Sequence, residues 1–517
     1  MKNINISDLS AYRDKKVTLK GWVINRRSSK GIEFLVLRDG TGFLQCIVDE
    51  QNVGKEIYES AKKLTQESSV ELTGKVIKDD RQIGGNELHI SDIKIICLNN
   101  DNYPITNKSH GVEFLMNNRH LWLRSKRQWA IMRVRNSIIY AIHNFYQKEG
   151  FMQMDAPIFT GNATEGTTTL FATEFYDRPA YLTQTGQLYG EAMAMAMGKI
   201  YTFGPTFRAE KSKTRRHLSE FWMIEPEMAF FDNEMNMNLI EKFIKSVVKE
   251  VLERCAFEFE ILERDTTILK TTVEEKFPRI SYADAVEILH GTKPINGITS
   301  IELLTNELND LKEEVEIKKK EIAEKEEVLK DDKLKQGQRN FIINKVDILK
   351  NELKDIEEKV SYLPEHMSSA KNFKYGDDFG GADETILTKM FSLPIMVYNW
   401  PKDIKAFYMK RDEKDDNLVK GVDVLAPEGF GEIVGGSERE TNLEILIERI
   451  KEHNLPQSVF EWYLDLRRYG SVPHSGFGLG LERFVSWITN TKHIRETIPF
   501  PRMYLSLIHI SEPTRPY

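Results

Sequence analysis

The first hundred residues alternate between apolar and polar positions in short runs that turn residues separate. The runs cover residues 17–27, 33–39, 42–49, 70–78 and 88–96. Alternation with a period of two is typical of strands with one buried face, so each run predicts a β-strand. A helical segment, GKEIYESAKKL, separates the third run from the fourth. The pattern therefore predicts a small all-β unit with one helix.

Five short strands with a helix after the third indicate a barrel of the OB type, which we predict over residues 1–100. Such barrels bind nucleic acid on an outer strand face, through aromatic rings and nearby cations. Candidates for that face are Arg26, Arg27, Phe34 and Gln45. Composition alone leaves open whether Phe34 is a core residue and the arginines are only solvated.

Beyond a linker at residues 101–125, apolar residues recur every three or four positions. They are Ile131, Val134, Ile138, Ile142 and Phe145. This spacing predicts a helix over residues 128–149, and Gly150 suits the left-handed position that ends a helix. The next segment, FMQMDAPIF, predicts a strand, which Pro157 restricts to an edge or an interface.

Residues 201–227, YTFGPTFRAEKSKTRRHLSEFWMIEPE, predict two antiparallel strands joined by a basic loop. The loop contains Lys211, Lys213, Arg215 and Arg216, with His217 as a fifth cation when it is protonated. Like charges at this density repel one another. A bound polyanion such as ATP or RNA would compensate them.

Residues 299–361 are rich in Lys and Glu, with apolar stripes at helical spacing on both sides of the break DDKLKQGQ. This pattern predicts an antiparallel helical hairpin, inserted in the second domain and projecting into solvent. A charged, solvated hairpin is the favoured interpretation, and a contact with tRNA or protein is the alternative.

Further polar segments carry candidate chemistry. QLYGE places Gln187 and Glu191 on one helix face, and YNWPKDIKAFYMK predicts a strand pair with surface lysines.

The glycines of GFGLGLER are not a dinucleotide fingerprint, because no βαβ unit surrounds them. Since no G-x-x-x-x-G-K-[ST] segment occurs, any ATP site is not a P-loop.

Composition narrows the function classes. The 517 residues suffice for two or three domains, and the net charge of -7 argues against indiscriminate coating of nucleic acid. Cys46, Cys97 and Cys255 form no CxxC pair, which predicts neither a disulfide framework nor a zinc site. With no signal-peptide core and no apolar run of membrane length, we expect a cytoplasmic protein.

Three segments, taken in order, resemble the three motifs of class II aminoacyl-tRNA synthetases. Helix 128–149 with Pro157 resembles motif 1, TFRAE through IEPE resembles motif 2, and GFGLGLER resembles motif 3. TGQLYGEA, IYTFGPTFRAE, NWPKDIKAFYM, GEIVGGSERE and RRYGSVPHSGFGLG are most similar to the asparaginyl-tRNA synthetases. The resemblance covers roughly residues 15–290 and 365–502, whereas residues 503–517 match no feature of the family and are interpreted as a foreign tail.

The resemblance implies an α+β catalytic domain at residues 126–502, an antiparallel sheet flanked by helices. It implies a reaction that uses ATP, Mg²⁺, asparagine and tRNA(Asn). The carboxylate of asparagine attacks the α-phosphate and releases pyrophosphate, and the 3′-OH of the tRNA then attacks the acyl carbon. Positioning and charge neutralisation drive such transfers. A homodimer through motif 1 is also implied, with no role for DNA or a membrane.

The resemblance also implies residue roles. The catalytic residues would be Arg208, which bridges the α-phosphate and the carboxylate, and Arg483. ATP would be held by Arg208, Glu210, His217, Phe221, Glu432 and Arg483. Mg²⁺ would be coordinated by Glu432 and Asp423. Asparagine would be held by Glu165, Gln187, Glu191 and Arg439. The anticodon would be read by Arg26, Phe34 and Gln45.

Specificity for asparagine would rest on few residues. Aspartyl enzymes share Arg439 but place a lysine in the segment that matches Gln187–Glu191. Because Glu191 would accept an amide N–H and repel a carboxylate, it predicts rejection of aspartate on the order of 10⁴-fold. The open alternatives are a non-discriminating aspartyl-tRNA synthetase, an asparagine synthetase paralogue and a non-catalytic RNA-binding protein.

Overall fold

The computed structural model describes residues 4–82, 84–106, 108, 110–161, 170–211, 214–331 and 334–503. The chain divides into two compact units, Met1–Leu115 and Met116–Tyr517. Within these described ranges, no helix combines the length and the apolar character that crossing a membrane requires. Glu165, Lys213 and the predicted tail after residue 503 lie outside the described residues.

The first unit is a closed barrel of five strands. They are β1 (Lys16–Ser29), β2 (Ile32–Arg38), β3 (Phe43–Asp49), β4 (Ser68–Lys78) and β5 (Asn86–Cys97). Their order around the barrel is β1-β2-β3-β5-β4. Two short helices, α1 (Glu50–Val53) and α2 (Lys55–Lys63), follow β3. Alternating apolar side chains fill the barrel, among them Leu19, Leu35 and Leu72. The predicted OB-type barrel is confirmed.

The second unit contains two sheets. The strands of the larger are β6 (Met152–Gln153), β10 (Lys199–Phe207), β11 (Glu220–Ala229), β12 (Arg279–Ser281), β13 (Ile395–Pro401), β14 (Leu418–Ala426), β15 (Gly431–Glu438) and β16 (His474–Gly480). Their order is β12-β13-β14-β15-β16-β11-β10-β6, antiparallel from β13 to β10. The smaller sheet, in the order β7-β9-β8, consists of β7 (Phe159–Thr160), β8 (Ala172–Phe175) and β9 (Arg178–Leu182).

Helices pack on the larger sheet. In chain order, the helices after the barrel are α3 (Val112–Asn117), α4 (Arg119–Trp122), α5 (Lys126–Lys148), α6 (Gln187–Met197), α7 (Asn233–Arg254), α8 (Ala256–Ile261), α9 (Thr267–Glu274), α10 (Tyr282–His290), α11 (Ser300–Val328), α12 (Gln336–Lys371), α13 (Gly381–Lys389), α14 (Leu443–Glu452), α15 (Glu461–Arg468) and α16 (Leu481–Ile488). Ile138 of α5, Phe243 of α7 and Trp487 of α16 share one core with the strands. The predicted α+β class, an antiparallel sheet flanked by helices, is confirmed.

Two local strand predictions are wrong. FMQMDAPIF forms two separate short strands, β6 and β7, because Pro157 between them has no N–H for a sheet ladder. YNWPKDIKAFYMK is not a strand pair, since β13 ends at Pro401 and a 3₁₀ turn, Lys402–Ile404, follows. That turn brings Lys405 inward, where its side chain is 12% exposed and lies 2.7 Å from Asp423.

Helices α11 and α12 form the predicted antiparallel hairpin. Ion pairs such as Lys318–Glu352 connect them, and α12 continues past residue 361 to Lys371. At the base of the hairpin, Leu304 and Leu363 belong to a core that includes residues of α10, α13 and β13. The distal part has a small cluster of its own that includes Ile322. The hairpin is therefore anchored at its base and packs on itself beyond it.

Candidate functional site

Two adjoining cavities lie on the larger sheet. The first, of about 510 Å³, has Gln187, Glu227, Asp423 and Arg439 in its lining. The second has Glu210, His217, Phe221 and Arg483 in its lining. Four residues line both cavities: Arg208, Met223, Glu432 and Gly478. Below, we call the first the inner cavity and the second the outer cavity. Arg208 and Glu432 thus lie where the two meet.

Strand β11 supplies side chains to both cavities. Period-two alternation puts Phe221, Met223, Glu225 and Glu227 on one face, and each of them lines a cavity. The strand pairs with β10 in an antiparallel hairpin, as predicted for residues 201–227. Arg208 follows β10 directly, and its backbone N–H donates to the carbonyl of Ser219 at 3.0 Å. The hairpin therefore fixes the backbone position from which the side chain of Arg208 extends.

Donors and aromatic surface surround the outer cavity. The guanidinium of Arg208 lies 5.5 Å from the centre of the Phe221 ring. Arg483 donates to the carboxylate of Glu432 at 3.2 Å and to its carbonyl at 3.0 Å. Burial lowers the pKa of His217, and the charge of Arg483 lowers it further. A cavity with these groups suits a planar ring joined to a polyphosphate.

Two cations of the basic loop already have acidic partners. Arg216 donates to Glu384 at 3.0 Å and to Thr385 at 2.7 Å. Arg215 forms a looser ion pair with Glu358 of α12 at 3.5 Å. The expectation that the loop needs an external polyanion is therefore corrected for these two residues.

The carboxylates of Asp423 and Glu432 converge on Gly435. Oδ2 of Asp423 accepts from Lys405 at 2.7 Å, and Oε2 of Glu432 faces Arg483. The other oxygens, Oδ1 of Asp423 and Oε1 of Glu432, lie 3.6 and 3.0 Å from the point that a Cβ on Gly435 would occupy. Two carboxylate oxygens that face a gap are suitable ligands for Mg²⁺, which takes its remaining ligands from phosphate and water. Throughout the described ranges, no cluster of three or more His, Cys, Asp or Glu could hold a metal.

Arg439 and Glu227 are paired in the inner cavity. Arg439 is 2% exposed and donates to Glu227 through Nε at 3.3 Å and through Nη2. It also donates to the hydroxyl of Ser437 at 2.8 Å. Burial raises the pKa of Glu227 above that of an ordinary glutamate, and the charge of Arg439 opposes this shift and favours the carboxylate form. The pair places a donor beside an acceptor, as an amide ligand requires.

Glu191 is fully buried and is not among the residues that line the inner cavity. Its carboxylate accepts from Tyr463 at 2.8 Å, Arg467 at 2.9 Å, His474 at 3.0 Å and Gln187 at 3.1 Å. Burial opposes ionisation, but the charges of Arg467 and His474 hold the pKa of Glu191 well below its ordinary value. The structure therefore places Gln187 at the cavity and Glu191 behind it, instead of the direct contact that the sequence predicts.

Sequence reasoning missed Glu225 and Glu227. The available signal was the pair of acids, two positions apart, at the end of an otherwise apolar strand. Glu225 accepts the backbone N–H of Gly186 at 2.7 Å and also the hydroxyl of Thr185. It thereby fixes the turn that leads into α6 and presents Gln187 to the cavity.

In the barrel, Phe34 of β2 and Gln45 of β3 lie outside the apolar core. Arg27 lies over the Phe34 ring, 4.8 Å from its centre. Arg26 is paired with Glu33 at 3.1 Å. The open question about Phe34 is thus resolved: it is a partly exposed ring on the outer face with a cation beside it, as a stacking surface for bases requires.

Comparisons with known proteins give matches in both units. Residues 111–504 match the family of tRNA synthetases class II (D, K and N), and residues 17–96 match the OB-fold nucleic acid binding domain. An asparagine–tRNA ligase of Sorangium cellulosum is 46% identical over 500 residues, which are 97% of this chain and 97% of that protein. One of Symbiobacterium thermophilum is 45% identical over 510 residues, which are 98% and 100%.

A solved structure is also similar. It is an asparaginyl-tRNA synthetase from Pyrococcus horikoshii complexed with asparaginyl-adenylate. The identity is 36% and the TM-score 0.78, over 97% of this chain and 98% of that chain.

Proposed function

The chain belongs to the class II tRNA synthetases of the D, K and N type, and we propose that it ligates asparagine to its cognate tRNA through an asparaginyl-adenylate. One observation carries the proposal: Arg208 and Glu432 line both cavities. With asparagine in the inner cavity and ATP in the outer one, the reacting carboxylate and α-phosphate would meet beside Arg208.

Arg208 has the geometry for this junction, because a planar guanidinium can donate to a carboxylate and a phosphate at once. The amino-acid carboxylate is itself the nucleophile, so the protein orients the reactants and stabilises the charge that develops on the phosphate. Around ATP, we assign the adenine ring to the space between Phe221 and Arg483. Glu210 lies at the adenine end, and His217 reaches the phosphates.

Mg²⁺ is part of the proposal. Oε1 of Glu432 and Oδ1 of Asp423 would hold the ion, because they are the oxygens that converge on Gly435. A bound Mg²⁺ supplies positive charge to the phosphates. Lys405 and Arg483 keep the other two oxygens of these carboxylates in place.

For the substrate side chain, we propose Glu227 and Arg439 as the contacts instead of Glu191. A side-chain amide needs an acceptor for its N–H and a donor for its carbonyl, which this pair provides. An aspartate would set a second carboxylate against Glu227 and be rejected. Glu191 would support Gln187 from behind. The role of Glu165 at the ammonium group stays a prediction.

The barrel would read the anticodon of tRNA(Asn) through Phe34, Gln45 and Arg26. A base stacked on Phe34 would gain about 1–3 kcal/mol. This interpretation follows from a ring outside the core with Arg27 above it.

We also propose a homodimer formed around α5 and the segment that follows it. Met152, Ile158 and Phe159 are apolar yet 49%, 43% and 50% exposed, as residues of a subunit interface are before assembly. Sedimentation at several protein concentrations would detect the dimer, and a monomer at all of them would refute it. The cytoplasmic location stays a prediction.

ATP–pyrophosphate exchange with asparagine and with aspartate tests the function. We expect faster exchange with asparagine, and Arg208→Ala should abolish it while tRNA binding stays intact. Arg178→Ala, an exposed arginine of β9, is the control and should keep full activity.

Faster exchange with aspartate would favour the non-discriminating aspartyl enzyme. Exchange with neither, together with intact tRNA binding, would favour a non-catalytic RNA-binding protein. Release of free asparagine from aspartate would favour the synthetase paralogue.

A further inference from the structure

Glu384, in the first turn of α13, holds two sides of the outer cavity. Its Oε2 accepts from Nη1 of Arg216 at 3.0 Å and from the backbone N–H of Glu432 at 3.1 Å. Arg216 directly precedes His217 in the basic loop, and Glu432 is the second residue of strand β15. Glu384 is itself not among the residues that line either cavity. One carboxylate oxygen therefore connects the loop to the strand from behind.

Arg216 has further bonds in the same place. Its Nη2 donates to Oγ1 of Thr385 at 2.7 Å and to the carbonyl of Gly429, and its Nη1 also faces the carbonyl of Gly381 at 3.3 Å. The guanidinium thus joins the start of α13 to the turn that precedes β15. A planar group with this many fixed acceptors has little freedom to rotate.

The packing at Gly431 shows how tight this connection is. A Cβ on Gly431 would overlap the carboxylate of Glu384 and lie 2.7 Å from Nη1 of Arg216. Gly431 also has a φ of +74°, a conformation that residues with a side chain rarely adopt. The strand can therefore approach the ion pair closely because residue 431 has no side chain.

We propose that Glu384 is a positioning residue for ATP, which sets the distance between the His217 side and the Glu432 side of the outer cavity. The inference rests on the proposed function, because it requires ATP in that cavity. Without the carboxylate, the loop and β15 lose their shared acceptor, and the phosphate contacts of His217 shift relative to Glu432. In the inner cavity, the Glu227–Arg439 pair is held by other contacts, so we expect asparagine binding to change less than ATP binding.

Glu384→Gln tests the proposal in the full-length protein. The amide keeps the size of the side chain but loses the charge that Arg216 and the Glu432 N–H share. We expect the KM for ATP in pyrophosphate exchange to rise on the order of tenfold, with the KM for asparagine changed less than about twofold. The matched control is Glu307→Gln, which breaks the ion pair with Lys389 at the other end of α13 and should change neither KM.

A double-mutant cycle with Arg216→Met asks whether the two residues act as a unit. If they do, the KM for ATP of the double variant is about equal to that of the single variant with the higher KM. If Glu384→Gln does not fold, Thr385→Val removes another contact of Arg216 and should give the same split between the two KM values.

Two results would overturn the proposal: an equal rise in both KM values, or a lower melting temperature with an unchanged KM for ATP. Direct titration with ATP separates this proposal from the proposed function. Weaker ATP binding by Glu384→Gln supports the positioning role even when the unsubstituted protein shows no exchange with asparagine. Equal ATP affinity of the two proteins refutes the positioning role even when exchange with asparagine is observed.

Discussion

Arg439 and Glu227 form a buried ion pair in the inner cavity, with Nε of Arg439 3.3 Å from Oε2 of Glu227. The side chains are 2% and 1% exposed. Removing one partner of such a pair leaves the other charge buried and uncompensated. A substrate amide placed beside the pair would find both a donor and an acceptor, so we expect this pair to distinguish asparagine from aspartate.

Glu227→Gln should reduce the preference for asparagine over aspartate. The substituted amide no longer repels a second carboxylate and is a weaker acceptor for the substrate N–H. We expect the ratio of kcat/KM values for the two amino acids to fall on the order of 10²-fold, as pyrophosphate exchange would measure. Glu258→Gln, at another buried carboxylate paired with an arginine, is the control and should keep the ratio. If the ratio of kcat/KM values is unchanged in Glu227→Gln, Glu191 would instead be the residue that determines specificity.

Glu191→Gln should destabilise the second unit. The substitution leaves Arg467, which is fully buried, beside a neutral group. Breaking a buried pair in this way costs about 3–5 kcal/mol, which denaturant unfolding would measure. Glu461→Gln, whose partner Arg468 is exposed to solvent, is the control and should not shift the unfolding midpoint. A Glu191→Gln variant that is stable but no longer binds asparagine would instead support the direct contact between Glu191 and asparagine that the sequence predicts.

The barrel and the outer cavity could be predicted from the sequence because the patterns that indicate them lie within short segments. Alternation within each of β1 to β5 sets which side chains fill the barrel. Arg208, Glu210, His217 and Phe221 lie within a single hairpin, so one stretch of sequence brings most of the outer cavity together.

The inner cavity was harder to predict because distant segments decide which acid reaches it. Helix periodicity places Glu191 and Gln187 on one face but does not say what covers them. Tyr463 and Arg467 of α15 surround Glu191 and leave Glu227 at the cavity. Lys405 was missed for a similar reason, since the 3₁₀ turn after β13 directs it toward Asp423.

Acid should weaken the fold through His493. Burial, together with Arg495 and Arg215, lowers the pKa of His493 to about 4, whereas an unfolded histidine titrates near about 6.5. The unfolded chain therefore binds more protons in this window, so stability that is present above pH of about 6.5 is lost as the pH falls toward about 4. With solvent screening, we expect a loss of about 1–2 kcal/mol.

His493→Asn tests this pH dependence. The variant keeps a side-chain acceptor for the backbone N–H of Arg495, which His493 accepts at 3.3 Å, but it does not titrate. Unfolding free energies measured between pH of about 6.5 and 4 should fall less in the variant than in the unsubstituted protein. Parallel curves would assign the acid sensitivity to other groups.

Phe34→Ala should weaken tRNA charging without affecting adenylate formation. Loss of one stacked base removes about 1–3 kcal/mol, which corresponds to a KM for tRNA raised about fivefold to about 150-fold. Pyrophosphate exchange without tRNA should be unchanged, because both cavities lie in the second unit. Tyr12→Ala, before β1, removes a ring that Lys15 faces at 5.7 Å and is the control. Equal effects of both substitutions would indicate a weakened barrel instead of a lost stacking contact.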